Sequence, residues 1–440
     1  MKEPLHRLTL FEAVAAISAG RLRSEDYVGA LLERVAATDA NVQAWAHLDR
    51  ERALELARDA DEKRAAGLDG GPLAGVAIGV KDIVATADQP TQMGSPIYSG
   101  AQPPYDAECV VRIKRGGGLV LGKTVTTEFA FLQPGKTRNP WNAAHTPGGS
   151  SSGSAAAVAL GQVPAAIGTQ TNGSMIRPAA YCGVVGFKPS KDALPYGGVN
   201  LFSPTLDTLG VFARSVADCA LLAGALAEDG ATAAAAKVQD RAPRLGYLAD
   251  FPWVATSSEQ GAASDAAIDA LRASGATVTN LVLPERCRGA HLVLRRIMLR
   301  EGADQLGALQ ERERARISAK LNAALDEGRG IDAAVYAEAL AQRAEIVAAL
   351  TEWMAPFDAI VAPPASGPAP ADLTQTGDPA CCTLWSLAGF PAITLPIALA
   401  PNGLPLGLQL ATPHGEDDRL LAIARWCEAC LPFEGLAARS

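Results

Sequence analysis

Hydrophobic positions follow two different patterns along the chain. In the first 70 or so residues they recur at helical spacing, as Leu31, Leu32 and Val35 do after Ser24, which can cap a helix. Beyond that point the apolar residues form short runs between glycines and prolines, such as "LAGVAIGV", "GLVLGKT" and "GVVGFKP". Runs of this kind are typical of buried strands that alternate with helices. The pattern predicts an α/β fold that begins with helices.

The second half of the chain adds further helices and a hairpin. Ser215 and Asp218 resemble a capping box at the start of a helix, and residues 257–352 are mostly helical in pattern. Strands are predicted at "RLGYLADF" and "ATVTNLVLP". Two later apolar runs flank the Pro-Asn-Gly sequence at 401–403, which supplies turn dihedrals and predicts a hairpin. A final helix is predicted over 417–431.

We expect one continuous domain over residues 1–440, because no low-complexity linker or internal repeat divides the sequence. The expected segments are a helical N-terminal cap at about 1–70, a core at about 71–230, a helical substrate-side segment at about 255–355, and C-terminal core strands with a helix at about 356–440.

Composition and charge indicate a soluble globular protein. Hydrophobic residues make up 48% of the chain, charged residues 20%, and the net charge is -8. A negative balance disfavours binding to nucleic acid, which depends on clustered Lys and Arg. The first residues, "MKEPLHRLTLFEAVAAISAG", resemble neither a signal peptide nor a transit peptide, and no apolar stretch is long enough for a membrane span. We therefore expect a cytoplasmic protein without a membrane or nucleic-acid partner.

Cysteine and histidine patterns give no support for a metal site. The eight cysteines are too sparse for a disulfide scaffold, and the single C-x-x-C, Cys427 to Cys430, lies in a helical pattern without a second pair. The five histidines show no H-x-x-x-H spacing. We expect neither a metal nor another cofactor.

Two short motifs have alternative interpretations. Residues 117–124 match the Walker A pattern, but a helical pattern precedes them and "LVL" favours a strand, which argues against a phosphate loop. Residues 149–153 fit the G-x-S-x-G elbow, which would make Ser151 a nucleophile; the preceding "TRNPWNAAHTPGG" is polar and broken by prolines, so no strand delivers that serine. A flexible Gly/Ser loop is the simpler alternative.

A third stretch, "GTQTNGSMIRPAAYCGVVGFKPS", offers a different nucleophile. Residues 171–174 place the Ser174 hydroxyl after a tight turn whose backbone N–H groups can converge on an oxyanion. A serine needs a base, and Lys81 ends an apolar run, where burial would lower its pKa and leave a neutral amine. The alternative for Lys81 is a surface residue whose ammonium reaches solvent.

Taken together, "GVKD", "GGSSSGSAAAVALG" and the stretch at 168–190 resemble the three signature elements of the amidase signature family. Flanking blocks such as "SLAGFPAITLPIALAPNGLPLGLQLATPHGEDDRLLAIARWCE" are also similar to that family, so the resemblance covers nearly the whole chain. It implies the amidase signature fold, a mixed, twisted central sheet of about ten or more strands covered by helices on both faces.

The resemblance also implies a catalytic triad and a reaction. Ser174 corresponds to the nucleophile, Ser150 to a bridging serine after a non-proline cis peptide bond, and Lys81 to the base. Backbone N–H groups of Thr171, Asn172, Gly173 and Ser174 would form the oxyanion hole. The implied function is a serine amidohydrolase that cleaves a small carboxamide, anilide, urea-like amide or carbamate through an acyl-enzyme.

An amidase subunit of an amidotransferase or of a hetero-oligomeric hydrolase remains the alternative. Many family members carry Asp and Gly where this chain has Gln170 and Asn172, and these departures favour a free-standing amidase over the glutamyl-tRNA amidotransferase subunit. Assembly of the chain into a homodimer is a further alternative.

Residues around the triad are assigned only by position. Ser151 is expected to take no part. Arg177 would bind a substrate carboxylate or form a structural ion pair. Hydrogen bonding around the site is expected from Ser152 and Thr169, and the pocket lining is expected from Phe129, Phe131 and Trp385.

Overall fold

A computed structural model describes residues 4–68, 70–227 and 241–433. Outside the described residues lie 1–3, 69, 228–240 and 434–440. Some of these positions belong to the segments expected from the sequence. The strands are β1 (Trp45–Leu48), β2 (Ala77–Lys81), β3 (Leu119–Thr124), β4 (Ala165–Gln170), β5 (Val185–Lys188), β6 (Thr208–Ala213), β7 (Arg244–Tyr247), β8 (Thr277–Asn280), β9 (Ala359–Ala362), β10 (Ala392–Leu399) and β11 (Pro405–Ala411). The helices are α1 (Leu10–Ser18), α2 (Ser24–Val42), α3 (Arg50–Ala65), α4 (Glu108–Arg115), α5 (Ser152–Ala159), α6 (Ile176–Cys182), α7 (Val216–Leu226), α8 (Ser258–Ala273), α9 (Ala290–Glu313), α10 (Ala319–Arg329), α11 (Ala333–Met354), α12 (Thr383–Ala388) and α13 (Asp417–Cys430).

All the described strands belong to one mixed sheet. Its eleven strands lie in the order β1-β3-β2-β4-β6-β5-β10-β11-β9-β7-β8. β2 pairs in parallel with both β3 and β4, and β7 pairs in parallel with β8 and β9, whereas the other pairs are antiparallel. The expected α/β fold with a mixed sheet of about ten or more strands is confirmed.

The central strands are buried along their whole length, as their continuous apolar runs predict. Every residue of β2, β4 and β6 is buried. Helix α5 packs against β2 and β4, and α7 packs against β6, so the sheet is covered where these strands run. The small side chains of α5 let it lie close to the sheet.

Several elements agree with the sequence pattern. β10 and β11 form the predicted antiparallel hairpin around residues 401–403, where Gly403 has a φ of 78°. β7 and β8 lie in the two runs predicted as strands, and α13 lies within the final helix predicted over 417–431.

The helix caps differ in part from the sequence prediction. Ser24 does not cap α2: the Asp61 carboxylate of α3 accepts the N–H groups of Ser24 and Glu25 instead. This cap depends on contact between two helices, so local sequence does not reveal it. Ser215 does cap α7 by accepting from the Asp218 N–H, but the Asp218 carboxylate accepts from the backbone elsewhere rather than completing a capping box.

The Walker-like segment is a strand, as its "LVL" core indicates. It enters from α4, and its last six residues form β3. Lys123 is fully buried and donates to the carbonyl oxygens of Val84 and Pro90 and to the Thr91 hydroxyl. The lysine of this motif therefore faces protein groups, and the phosphate-loop interpretation is wrong.

Across the described ranges, each helix is either too short or too polar to span a lipid bilayer.

The close approach of α5 to β3 requires a glycine and supports a stability prediction. A Cβ at Gly153 would lie 2.2 Å from the Ala44 carbonyl oxygen and 2.3 Å from the Val125 nitrogen, both backbone atoms. We expect Gly153→Ala to lower the free energy of unfolding by about 1–3 kcal/mol or more, because the backbone must shift. Urea denaturation followed by circular dichroism measures this change.

Gly261 in α8 is the matched control, because a Cβ there has no neighbour within 4 Å. We expect Gly261→Ala to raise the free energy of unfolding by about 0.5–1 kcal/mol, the usual advantage of alanine inside a helix. Equal effects of the two substitutions would contradict the packing argument.

Candidate active site

Lys81 is the last residue of β2 and its side chain is completely buried. Its Nζ lies 2.7 Å from Ser150 Oγ, 2.9 Å from Ser151 Oγ and 2.8 Å from Thr169 Oγ1. All three of these hydrogen-bond partners are hydroxyl groups. The interpretation of Lys81 as a surface residue is therefore wrong, because the ammonium does not reach solvent.

Burial lowers the pKa of Lys81 well below its ordinary value, and the Asp207 carboxylate opposes this shift. Desolvation favours the neutral form of a lysine because the charged form loses its hydration. No carboxylate among the described residues forms a salt bridge with Lys81. The Lys81 amine therefore lies among hydroxyl groups, in surroundings that favour its neutral form.

Ser150 lies in the loop before α5. The Gly149–Ser150 peptide bond is cis, as the family resemblance implies. Within the described chain no hydrogen bond joins the Ser150 hydroxyl to Ser174. Ser150 is hydrogen-bonded to Lys81, whereas Ser174 belongs to the turn that follows β4. The two segments meet through Arg177, whose Nη2 donates to the Gly149 carbonyl at 2.6 Å.

Residues 171–174, which we call the serine turn, connect β4 to α6. The Gln170 side chain closes this turn, because its Oε1 accepts from the N–H groups of Met175 and Ile176. Among the described residues, no protein acceptor takes a hydrogen bond from the N–H groups of Asn172, Gly173 or Ser174. The turn thus has unpaired donors next to the half-buried Ser174.

The remaining turn residue, Thr171, is held by a buried carboxylate. Its hydroxyl donates to Asp207 at 2.5 Å, and Asp207 also accepts from the N–H groups of Phe202 and Ser203. Burial raises the pKa of Asp207 to about 6, against these hydrogen bonds and the charge of Lys81, which lower it. Asp207 therefore connects the serine turn to the segment at 202–203 and acts electrostatically on Lys81.

Arg177 is 3% exposed and forms no salt bridge with any described residue. Its Nη2 also donates to Thr376 Oγ1 at 3.1 Å, whereas Nε and Nη1 have no hydrogen-bond partner among the described residues. Burial lowers the pKa of its guanidinium. The structure shows no ion pair for Arg177 among the described residues; instead two nitrogens of this buried cation, Nε and Nη1, are unpaired there.

A cavity of about 50 Å³ lies over the serine turn. The polar part of its lining is the serine turn and Arg177. The apolar part is Ala130, Phe131, Leu132, Phe202, Met298 and Pro379. Phe131 and Phe202 stack with ring centroids 4.8 Å apart, which forms a rigid wall.

Not every expected site residue is near this cavity. Thr169 contacts Lys81, and Phe131 lines the cavity. Phe129 and Trp385 are not among the residues that line the cavity, and each packs in a hydrophobic cluster. Ser152 begins α5, and within the described residues its side chain makes no hydrogen bond to Lys81 or the serine turn. Aromatic residue type alone cannot distinguish a pocket wall from the core.

Sequence analysis also missed three contributors. Ser151 is no bystander, because it contacts Lys81 directly and donates to the Thr169 carbonyl. Asp207 and Phe202 were not singled out. For Asp207 the sequence does contain a signal, because a carboxylate stands immediately before the buried strand β6. For Phe202 the sequence contains no such signal.

Comparisons with known proteins identify the family of this chain. The family model described as Amidase matches residues 26–421. A glutamyl-tRNA(Gln) amidotransferase subunit from Salinispora arenicola (strain CNS-205) is 34% identical over 98% of this chain and 98% of that protein. Among solved structures, an amidase has a TM-score of 0.87 at 30% identity, covering 96% of this chain and 100% of the other. Peptide amidase from Stenotrophomonas maltophilia has a TM-score of 0.84 at 28% identity, covering 99% of each chain.

The family match spans most of the sequence, and the solved amidases share the fold along nearly its whole length. The chain therefore belongs to the amidase family, whose members are hydrolases that act on C–N bonds.

Proposed function

We propose that this chain hydrolyses a small amide through an acyl-enzyme, with Ser174 as the nucleophile, Ser150 as the bridge and Lys81 as the base. The observation that carries the proposal is the buried Lys81, whose Nζ lies 2.7 Å from the Ser150 hydroxyl and whose hydrogen-bond partners are hydroxyls. A neutral amine in this position accepts a proton that an ammonium could not.

The hydrogen bonds around Lys81 indicate where its lone pair lies. A neutral amine donates two hydrogen bonds and accepts one. The Ser151 proton is directed at the Thr169 carbonyl oxygen, so Ser151 accepts from Lys81 rather than donating to it. Of the other two hydroxyls, Ser150 is the closer and lies on the loop that Arg177 ties to the serine turn. In the proposed reaction Ser150 is therefore the hydroxyl that gives its proton to Lys81.

The reaction then follows in balanced steps. Ser174 Oγ attacks the amide carbonyl carbon while its proton passes to Ser150 and the Ser150 proton passes to Lys81. The tetrahedral intermediate collapses as the C–N bond breaks, and the leaving nitrogen receives the proton from Lys81 through Ser150. Water attacks the acyl-enzyme by the same route and releases the acid. Substrate must bring Ser174 and Ser150 together, since catalytic hydrogen bonds tighten in the complex.

The serine turn supplies the oxyanion hole in this proposal. The unpaired N–H groups of Asn172, Gly173 and Ser174 are available to the developing negative charge, and Thr171 joins them in the turn. Donors of this kind act most strongly in a site that excludes water, and the apolar walls of the cavity favour that.

The substrate class follows from the cavity. Its small volume and its apolar wall of Phe131, Phe202 and Met298 suit a compact acyl group. Arg177 lines the same cavity and has two unpaired guanidinium nitrogens, so we propose that it binds a carboxylate or another acceptor on the substrate. Carboxamides, anilides, urea-like amides and carbamates with such a group are the candidates.

We also propose that the chain acts in the cytoplasm on a small molecule without a partner subunit. The competing candidate is the amidase subunit of an amidotransferase, which the 34% identity to the glutamyl-tRNA(Gln) amidotransferase subunit favours. The two candidates share the triad and differ in whether a second chain is required.

An activity assay of the purified chain alone separates these two candidates. We expect it to hydrolyse at least one compound in a panel of carboxamides, anilides and carbamates, with release of the amine measured, because Lys81, Ser150 and the serine turn come from one chain. Activity that appeared only on adding a partner subunit would support the amidotransferase candidate instead.

Ser174 is tested by substitution and by covalent labelling. We expect Ser174→Ala to lower kcat on the order of 10⁵-fold and to abolish labelling by a fluorophosphonate, because the attacking oxygen is gone. Intact-mass spectrometry measures the label. Ser151→Ala is the comparison, since it should retain a labelled Ser174; loss of the label there with retention in Ser174→Ala would refute the assignment.

The pH dependence tests Lys81. Because only the neutral amine accepts a proton, we expect kcat/KM to rise with pH and to level off well below 10.5, the ordinary lysine pKa. The Asp207 carboxylate raises the pKa of Lys81, so Asp207→Asn should move this acid limb to lower pH. The measurement is a full pH profile of kcat/KM.

Asp417→Asn is the control for that profile. Asp417 also accepts two hydrogen bonds, from the Ser190 N–H and hydroxyl, but they belong to a different part of the fold. The acid limb should stay in place in this variant. An acid limb that Asp207→Asn leaves unmoved would contradict the electrostatic coupling to Lys81.

A further inference from the structure

Ser386 of α12 contacts the serine turn on the side of its Asn172 carbonyl. Its Oγ donates to the carbonyl oxygen of Asn172 and accepts from Gln170 Nε2 at 2.9 Å. Ser386 is 3% exposed and Gln170 is 1% exposed, so water does not compete for these groups. Thr383 of the same helix donates to Asn172 Oδ1 at 3.2 Å. Helix α12 therefore donates hydrogen bonds to both the backbone carbonyl and the side chain of Asn172.

The direction of these hydrogen bonds is determined by their partners. Gln170 Oε1 accepts from the Met175 and Ile176 N–H groups, so the NH₂ group of Gln170 is the part that faces Ser386. The Ser386 hydroxyl has one proton. Since its oxygen accepts from Gln170, its proton is free to point at Asn172. The hydrogen bonds therefore run in one direction: Gln170 Nε2 donates to Ser386 Oγ, and the Ser386 hydroxyl donates to the Asn172 carbonyl of the serine turn.

The last member of this chain is the peptide between Asn172 and Gly173. In a trans peptide the carbonyl oxygen and the next N–H point in opposite directions within one plane. The Asn172 carbonyl faces Ser386, so the Gly173 N–H faces away from α12, and Gly173 lines the cavity. A hydrogen bond to the carbonyl oxygen polarises the amide and strengthens its N–H as a donor.

We propose that Ser386 is a positioning residue that orients and polarises the Asn172–Gly173 peptide so that the Gly173 N–H stabilises the oxyanion. Gln170 sets the direction of the Ser386 proton, and Thr383 restrains the Asn172 side chain. The inference rests on the proposed function, because the oxyanion forms only if Ser174 attacks a carbonyl carbon. It adds to the proposed catalytic residues a positioning residue that lies more than 200 positions after Asn172 in the chain.

Ser386→Ala tests this role with the amide that the unmodified chain hydrolyses fastest in the panel of carboxamides, anilides and carbamates. Removing an oxyanion donor outright costs about 10²–10³-fold in kcat, and here the donor is weakened rather than removed, so we expect a loss of about 10–100-fold. KM should change less than about twofold, because the interaction strengthens only as charge develops. The affinity for a trifluoromethyl ketone, which forms an oxyanion on Ser174, should fall in proportion to kcat/KM.

Ser264→Ala is the matched control. Ser264 is fully buried and also accepts a hydrogen bond from a glutamine Nε2, that of Gln260, at 2.9 Å, but it lies in α8. Its substitution removes the same kind of contact and should leave kcat and the ketone affinity unchanged. Ser386→Cys keeps the shape of the side chain and a weak donor, so its kcat should lie between those of the alanine variant and the unmodified chain.

Three outcomes would overturn the inference: an unchanged kcat in Ser386→Ala, a loss confined to KM, or an equal loss of kcat in Ser264→Ala. If the alanine variant does not fold, Ser386→Cys decides by the same comparison of kcat with ketone affinity. Failure of the proposed function is recognised separately, because Ser174→Ala would then remain active. An inactive Ser174→Ala together with a fully active, folded Ser386→Ala would refute the role of Ser386 alone.

Discussion

The buried Lys81 is the constraint on which the rest of the site depends. Among the described residues two other lysines are also buried, but their partners differ. Lys123 lies 3.4 Å from Asp82, and burial lowers its pKa only to about 8 against that charge. Lys188 donates to the Pro189 carbonyl, and burial lowers its pKa to about 7. A carbonyl oxygen has no proton to give, so even a neutral Lys188 cannot serve as a relay. Of these three, Lys81 is the one whose hydrogen-bond partners are all hydroxyl groups, which can both accept and donate.

The proposed reaction creates two opposite charges, and different parts of the fold are placed to stabilise each of them. In that proposal, attack by Ser174 sends a proton to Lys81 and forms an oxyanion at the substrate. The Asp207 carboxylate favours the protonated Lys81, and the N–H groups of the serine turn favour the oxyanion. Asp207 also accepts from the Thr171 hydroxyl, so one buried carboxylate holds the serine turn and acts on the charge of Lys81. Positioning and electrostatics are therefore not separable at this residue.

Local pattern predicted what depends on neighbouring residues in the sequence. The apolar runs around residues 401–403 predicted the β10–β11 hairpin. The placement of Lys81 beside Ser150, a contact between distant segments, was expected only from the family resemblance. β1 was missed because its four residues pair only with β3 and show no readable period. The Asp61 cap of α2, the contact of Ser151 with Lys81 and the cavity wall arise from contacts between distant segments. Those contacts require the packed fold, which periodicity does not describe.

Strand register explains why the site forms where it does. β2 and β4 are adjacent and parallel, with Val80 opposite Ile167, so Lys81 and the serine turn lie at the same edge of the sheet. A shift of one residue would turn the Lys81 side chain to the other face of the sheet. The register also places Gly168 next to this lysine, and a Cβ there would lie 2.8 Å from Ser151 Oγ. A larger residue at 168 would therefore crowd this hydroxyl together with the Phe212 ring and the Met175 sulfur. The backbone pairing of two strands thus determines both the position of the base and the space for its hydroxyl partners.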